Sequence, residues 1–252
     1  MVLLHEETTT TLAEALESVE VALLPTGSVE QHGPALPLGT DMLAAEGIAR
    51  AAEDDRTLTL PTIPVGVSVH HRQFHGTLHV DDLTFEAYVF QVLSSLAEHG
   101  VRKVVLVNGH GGNTDALTRA ARQFRDAGQG FAAPWDWWSD LEDRIEAEFG
   151  TGLGHADEVE TSAMLHLTEL VREQRLDEAE AGAADSWGRT VHGAHIGFDT
   201  ADFSESGAVG HPTAGSEAMG AELVDAATAD LEALVDWLAS RPLEDLLPEP
   251  HR

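Results

Sequence analysis

The sequence contains no cysteine, a single lysine (Lys103) and a single tyrosine (Tyr88) in 252 residues. Without cysteine there is neither a disulfide framework nor a thiolate metal site, a composition that fits a cytosolic chain. No apolar run approaches the length of a membrane span and no signal pattern opens the sequence, so it reads as soluble, cytoplasmic and unexported. Positive charge is scarce: Lys and Arg together number 14 against 44 Asp and Glu, a formal net charge of −30. A protein so depleted in basic residues lacks the footprint that nucleic acid requires. The acids are spread along the chain rather than gathered in a tail. With lysine almost eliminated, this reads as a solvation adaptation to a salt-rich, halophilic cytosol, where the self-repulsion is screened. Also missing are a Gly-x-Ser-x-Gly elbow, an HExxH helix, a phosphate loop and a dinucleotide fingerprint.

What is present alternates between strand and helix signals. Strands are expected at 19–25, ending at Pro25, at 57–65, at 101–107 with continuous apolar character, and at 131–134. Helices are expected at 41–53, capped by Thr40, and at 82–99, 113–127, 158–170 and 215–239. The alternation implies an α/β layered fold on a mostly parallel sheet, with no linker long enough to split residues 1–252 into two domains and no internal repeat. Residues 177–215, rich in Gly, Ala, Asp and His, read either as long loops over a site or as an extra strand pair. The tail after Pro242 reads as irregular.

Ligands of open α/β sheets bind beyond the carboxyl ends of strands. Three of the expected strands end there in polar, glycine-rich, histidine-bearing loops. The first holds Glu30 and His32, followed by Asp41 at a helix start. The second runs from His70-His71 to Gly76-Thr77. The third is Asn108-Gly109-His110-Gly111-Gly112-Asn113. Carboxylate plus imidazole suits zinc or manganese. A fourth segment, His155 to Ser162, opens a helix and is dense in acid; Glu158 and Glu160, two apart, point in different directions on a helix, so one can be a ligand and the other an outer partner of a ligand or a solvated acid. His71, His75 and His79 recur every fourth residue, but Gly76, Thr77 and Val80 argue against a helix there. His70 or His71 therefore stays a site candidate, whereas His75 and His79 read as structural or exposed. His5, His99, His166, His192, His195, His211 and His251 carry no spacing signal; His192 and His195 are weak candidates for a substrate lid. Metal-assisted hydrolysis is the chemistry that remains.

Taken together, the stretches Leu24 to Pro34, Leu36 to Asp41, His71 to Thr77, Val107 to Asn113, His155 to Ser162 and Gly210 to Ala214 resemble the creatininase (creatinine amidohydrolase) family, in that family's order and over about residues 20–240. The resemblance implies an α/β/α sandwich, two divalent metal ions (zinc or manganese) and a homo-oligomer, often a hexamer. It also implies that Glu30, His32, Asp41 and His110 are metal ligands, with Asp41 bridging. Creatininases proper supply a further carboxylate two residues after the loop histidine. Here that residue is Gly112, and the branch with this loop implies Glu160 instead. That departure weakens the case for creatinine as substrate. The branch resembles peptidases that trim ribosomally made cofactor precursors of the mycofactocin kind, and formamide hydrolases of flavin-like pathways.

The expected reaction is hydrolysis of an unactivated amide C–N bond, in a small molecule or a short peptide, by water that the metals activate near neutral pH. Glu158, His155 and His71 are the candidates to protonate the departing nitrogen. A metal-dependent phosphoesterase and a non-catalytic metal-binding protein are the readings from other classes. Trp135, Trp137, Trp138 and Trp187 line either the pocket or a subunit interface.

Overall fold

The computed structural model describes residues 2–52, 54–150 and 152–249; Glu53, expected to end a helix, and His251 lie outside the described residues. The strands are β1 (Val2–Leu3), β2 (Val21–Thr26), β3 (Thr57–Thr59), β4 (Lys103–Asn108), β5 (Phe131–Asp136) and the two-residue strands β6 (Thr190–Val191) and β7 (Ala194–His195). The helices are α1 (Thr9–Ala15), α2 (Thr40–Ala51), α3 (Asp82–Glu98), α4 (Thr114–Asp126), α5 (Glu142–Phe149), α6 (Glu158–Leu167), α7 (Leu176–Ala181), α8 (Glu217–Ala239) and α9 (Leu243–Leu246).

Strands β1 to β5 form one sheet in the order β1-β3-β2-β4-β5, and every pairing is parallel. Strand side chains alternate between its faces. Val21 and Leu23 of β2, with Val105 and Val107 of β4, pack against α2, α5, α6 and α8. Ala22 and Leu24, with Val104 and Leu106, pack against α3 and α4. Both faces are covered, which explains why β2 and β4 are apolar throughout. Helix α4 shows the matching logic: Ala116, Leu117, Ala120, Ala121 and Phe124 are buried on one stripe, and Arg119 and Arg122 look outward.

The chain leaves β2 toward β3 on one side and leaves β4 toward β5 on the other. The adjacent carboxyl ends of β2 and β4 thus form the topological switch point, where ligands of such sheets bind. Close approaches fix what sits there. A Cβ on Gly109 would lie 2.1 Å from the Asp41 carbonyl oxygen, and one on Gly27 2.5 Å from the Met42 nitrogen. Only glycine at both positions lets the first turn of α2 wedge between the two strand ends.

Several expectations need correction. Thr40 does not cap α2; it is the first helical residue, after Gly39, and its hydroxyl donates to the Pro37 carbonyl. Strand β2 runs on past Pro25, because Thr26 keeps pairing with Asn108. Strand β3 stops at Thr59 instead of continuing to residue 65, since Pro61 has no N–H to donate; Leu60 and Ile63 still donate to β2 carbonyls on either side of it. Strand β5 reaches Asp136 and tolerates Pro134 because it is an edge strand. Residues 177–215 hold both expected features, a strand pair (β6–β7) and loops, together with the end of α7. The segment after Pro242 begins with the short helix α9 rather than irregular chain. Among the described residues no helix is long and apolar enough to cross a membrane.

Candidate metal centre

Seven titratable side chains converge at the switch point. Glu30 and His32 come from the loop after β2, Asp41 from the first turn of α2, and His71 from a single 3-10 turn (Val69–His71). His110 follows β4, His155 precedes α6, and Glu160 lies in its first turn. The loops that carry them are pinned by side-chain amides. Asn108 donates to the His110 carbonyl (2.7 Å) and to Asp136 Oδ1 (2.7 Å). Asn113 accepts from Val67 N (2.9 Å) and donates to the Gly27 carbonyl (3.1 Å). The two asparagines of the Asn-Gly-His-Gly-Gly-Asn loop are therefore braces, and His110 is its chemical group.

Asp41 is the centre of the arrangement. Its Oδ1 lies 3.0 Å from His32 Nε2, and its Oδ2 lies 3.1 Å from His110 Nδ1. Each histidine has a second carboxylate: Glu160 Oε1 is 3.6 Å from His32 Nε2, and Glu30 Oε2 is 3.3 Å from His110 Nε2. The candidate ligand sets are accordingly Glu30/Asp41/His110 and His32/Asp41/Glu160, which share Asp41, with Glu30/His32/His155 as a further set. Backbone carbonyls orient both inner imidazoles. His32 Nδ1 donates to the Glu30 carbonyl (3.2 Å) and His110 Nε2 to the Val67 carbonyl (3.1 Å), so His32 Nε2 and His110 Nδ1 are left for a cation. Both carboxylate oxygens of Glu30, Asp41 Oδ2 and His71 Nε2 are buried here without a well-aligned hydrogen bond, meeting one another and His110 only in contacts of 3.1 to 3.3 Å. Buried carboxylate oxygens are normally satisfied. Their convergence, together with an oxygen and imidazole donor set, fits divalent cations.

The titration behaviour follows from the same crowding. Burial pushes Glu30 up to about 7, with Asp41 and Glu160 adding and His110 and His32 only partly offsetting it. Burial also opposes charge on His110, but Glu30 and Asp41 outweigh it and raise the imidazole to about 9. His32 is likewise buried, and Asp41 and Glu160 hold it well above the usual histidine value. Asp41 would be raised by burial, yet His32 and His110 keep it well below the ordinary carboxylate range. In Glu160, too, burial is overcome, by His32 and His155, and the pKa falls. Burial, reinforced by His32, takes His155 down to about 3, so it is neutral at neutral pH. His71 is depressed by burial and by the surrounding imidazoles. Without a cation, protons on His32, His110 and, near neutral pH, Glu30 itself compensate these buried carboxylates.

A cavity of about 440 Å³ opens onto the cluster, lined among others by Asp41, His110, Glu160, Trp137, Trp138 and Trp187. Among the described residues no lysine or arginine lines it. Trp187 lies edge-on to His71 at 6.4 Å and tilted over His155 at 6.0 Å. Trp135 is outside the cavity, packed on the core of the α2–α6–α8 face. His195 reaches the cavity; His192, His75 and His79 are exposed and do not.

Of the acids and imidazoles expected at the site, the structure brings Glu30, His32, Asp41, His71, His110, His155 and Glu160 together. Glu158 is not among them. It is buried, and its Oε2 accepts from His211 N at 2.7 Å, on the side of α6 away from the cluster. The α6 turn explains the split, since residues two apart point in different directions. The Gly112 departure also has a physical reason. A Cβ there would meet the Val67 carbonyl oxygen at 2.2 Å and His110 Nε2 at 2.5 Å, so this loop has no room for a side chain. Sequence reading missed Gln31, a buried amide between His71 and His155, and Thr200, whose hydroxyl lies 2.9 Å from His71 Nδ1. The place of Gln31 between Glu30 and His32 was a usable signal; Thr200 had none.

Residues 5–235 match the family described as Creatininase: Creatinine amidohydrolase. The chain is 33% identical over 228 residues to the mycofactocin precursor peptide peptidase of Mycobacterium tuberculosis, covering 86% of this chain and 85% of that protein. It is 31% identical over 166 residues to the creatinine amidohydrolase of Pseudomonas putida, covering 58% of this chain and 64% of that one. In fold it matches a crystal structure of creatinine amidohydrolase with a TM-score of 0.81 at 24% identity, over 96% of this chain and 99% of that one. A manganese form of creatininase matches with a TM-score of 0.79 at 24% identity, over 98% and 99%.

Proposed function

We propose, for a chain that belongs to the creatininase (creatinine amidohydrolase) family, that a single catalytic domain hydrolyses an amide C–N bond at two divalent metal ions, zinc or manganese, shared by Asp41. The carrying observation is the split of the Asp41 carboxylate between His32 and His110, each backed by its own second carboxylate. Glu30, Asp41 and His110 would hold one ion; His32, Asp41 and Glu160 would hold the other.

When bound, such ions supply Lewis acidity and a water acidified toward neutral pH. The protein's own groups do the rest. His155, neutral and with Nδ1 turned to the cluster, takes a proton from the attacking water and returns it to the departing nitrogen. The water oxygen forms the new C–O bond, the C–N bond breaks, and an acid and an amine leave. Gly111 and Gly112 line the cavity at the turn into α4, where backbone N–H groups can face a developing oxyanion. His71 lies in the cavity wall with its Nε2 3.3 Å from Glu30 Oε1. Glu158 has no part in the reaction, because its carboxylate is turned to His211.

The tryptophan-lined cavity, in which no described lysine or arginine takes part, supports a neutral amide as substrate over an anionic one and weighs against the phosphoesterase reading. The longer match with the peptidase than with the P. putida creatinine amidohydrolase supports a short peptide as a second reading for the substrate. The charge of −30 supports work in a salt-rich cytoplasm. A homo-oligomer, a hexamer by family likeness, is part of the same proposal.

The test is turnover of creatinine, formamides and short peptides by the metal-loaded protein in molar KCl. The expected result is hydrolysis of at least one amide, lost on chelation and restored by zinc or manganese. Full metal loading with no amide turned over would put a binding protein in place of an enzyme.

A further inference from the structure

Gln31 lies between the two imidazoles at the rim of the cluster and is fully enclosed, 4% exposed. Its amide orientation is fixed by groups with a single possible role. Gly33 N can only donate, and it meets Oε1 at 3.0 Å; the Gly207 carbonyl can only accept, and Nε2 meets it at 3.0 Å. A flipped amide would set two donors against each other at Gly33 and two acceptors at Gly207. The amide is also trapped, because a Cβ on Gly207 would come within 1.8 Å of Oε1.

With one Nε2 hydrogen given to Gly207, one remains. Two ring nitrogens stand 2.8 Å away, His71 Nδ1 and His155 Nε2. His155 Nε2 also lies 2.8 Å from the Gln31 backbone carbonyl, which can only accept, so that nitrogen carries the proton and donates. The remaining Gln31 hydrogen therefore goes to His71 Nδ1, which acts as acceptor, and the Thr200 hydroxyl 2.9 Å away can donate to the same atom. A neutral His71 must then carry its proton on Nε2, 3.3 Å from Glu30 Oε1. We propose that Gln31 is a positioning residue that fixes both neighbouring imidazoles in the Nε2–H form. The rings hang from it by opposite nitrogens. His155 consequently turns an open lone pair (Nδ1) to the cluster, and His71 turns an N–H. His71 is thereby barred from ligating a cation and orients Glu30, while His155 is left free to accept a proton. This assignment leaves one mismatch, the donor–donor contact of Gln31 Nε2 with His155 Nε2 at 2.8 Å, whereas the flipped amide leaves two, at Gly33 and Gly207.

The consequence for turnover rests on the hydrolase reading above, but the tautomers do not, so the decisive readout is spectroscopic. Long-range ¹H–¹⁵N correlation on ¹⁵N-histidine-labelled protein, with peaks assigned through His71→Gln and His155→Gln, reports which ring nitrogen is protonated. Both residues are expected as Nε2–H in the native chain. In Gln31→Glu the new carboxylate cannot donate, so His71 is expected to move its proton to Nδ1 while His155 keeps its own on Nε2. Metal stoichiometry should stay unchanged, because Gln31 is not a ligand. On whichever amide the protein turns over, kcat should fall about 10–100-fold, the usual cost of losing an outer partner, with KM nearly constant. Gln31→Met, which neither donates nor accepts strongly, should leave His71 as a mixture of tautomers held by Thr200 alone. A native His71 protonated on Nδ1, or one that stays Nε2–H in Gln31→Glu, would overturn the proposal. Absence of amide turnover with the predicted tautomers would overturn only the hydrolase reading.

Discussion

The cluster at the ends of β2 and β4 and the segment that overhangs it, residues 187–203, are built on opposite terms. In the cluster, Glu30, His32 and Asp41 are essentially inaccessible, and the loops between them are fixed by glycines with no room for a Cβ and by buried asparagines. The overhang is a two-residue hairpin and a 3-10 turn with Val191, Ile196 and Phe198 exposed. It is tied down by Thr200 on His71 and by Asp199, which accepts from Arg72 and Gln73 at 2.6 Å each. The rigid region can dictate a reaction, and the loosely held one can change what reaches it. This division is why the reaction class follows from this chain more readily than the substrate.

The contrast can be broken most severely at Asp41. Asp41→Ala removes a ligand common to both candidate sets, so both metals should be lost and turnover should fall about 10³-fold or more, beyond the usual effect of deleting one electrostatic stabiliser; elemental analysis and kinetics read both. Gly109→Ala, which places a methyl against the Asp41 carbonyl, should destabilise by about 1–3 kcal/mol or more and weaken metal binding, as measured by denaturant melts with and without metal.

A third test uses pH. His110 titrates near 9 in the metal-free fold, above its unfolded value, so its pairing with Glu30 and Asp41 contributes stability that is complete below about 6.5 and lost as pH rises through 9. A metal must displace that proton. Metal affinity should therefore rise between pH 7 and 9 with proton release, while the stability of the metal-free protein falls over the same range. Calorimetry in buffers of different ionisation heat, paired with melts, checks both signs.

In the overhang the effects should be smaller and of another kind. Phe198→Ala should raise KM about tenfold, the scale of one lost aromatic contact, with metals retained and kcat little changed. The smallest effect is expected from Asp199→Asn: the Arg72 side chain is half exposed, so melting should shift by no more than about 1 kcal/mol, with substrate ranking altered before metal content.

The same contrast governs what the sequence disclosed. Glu30, His32, Asp41 and His110 were legible because strand ends, glycines and short polar loops are local signals, and the continuous apolar runs of β2 and β4 placed them in a parallel sheet. Glu158 and Glu160 could be separated only by resemblance, since both sit in the first turn of one helix. The overhang was illegible because its order comes from long-range ties such as Asp199 to Arg72, which leave no periodicity. Helices α1 and α5 also went unread. The lone lysine had no sequence meaning either. In the structure Lys103 donates to the Leu238, Ala239 and Arg241 carbonyls at the end of α8, where a cation complements the helix terminus.

The most direct test of the shared-carboxylate centre is anomalous diffraction from crystals of the native protein loaded with zinc or manganese. The account predicts two peaks flanking Asp41, one against Glu30 and His110 and the other against His32 and Glu160. A single peak held by Glu30, His32 and His155, with Asp41 left out, would contradict it.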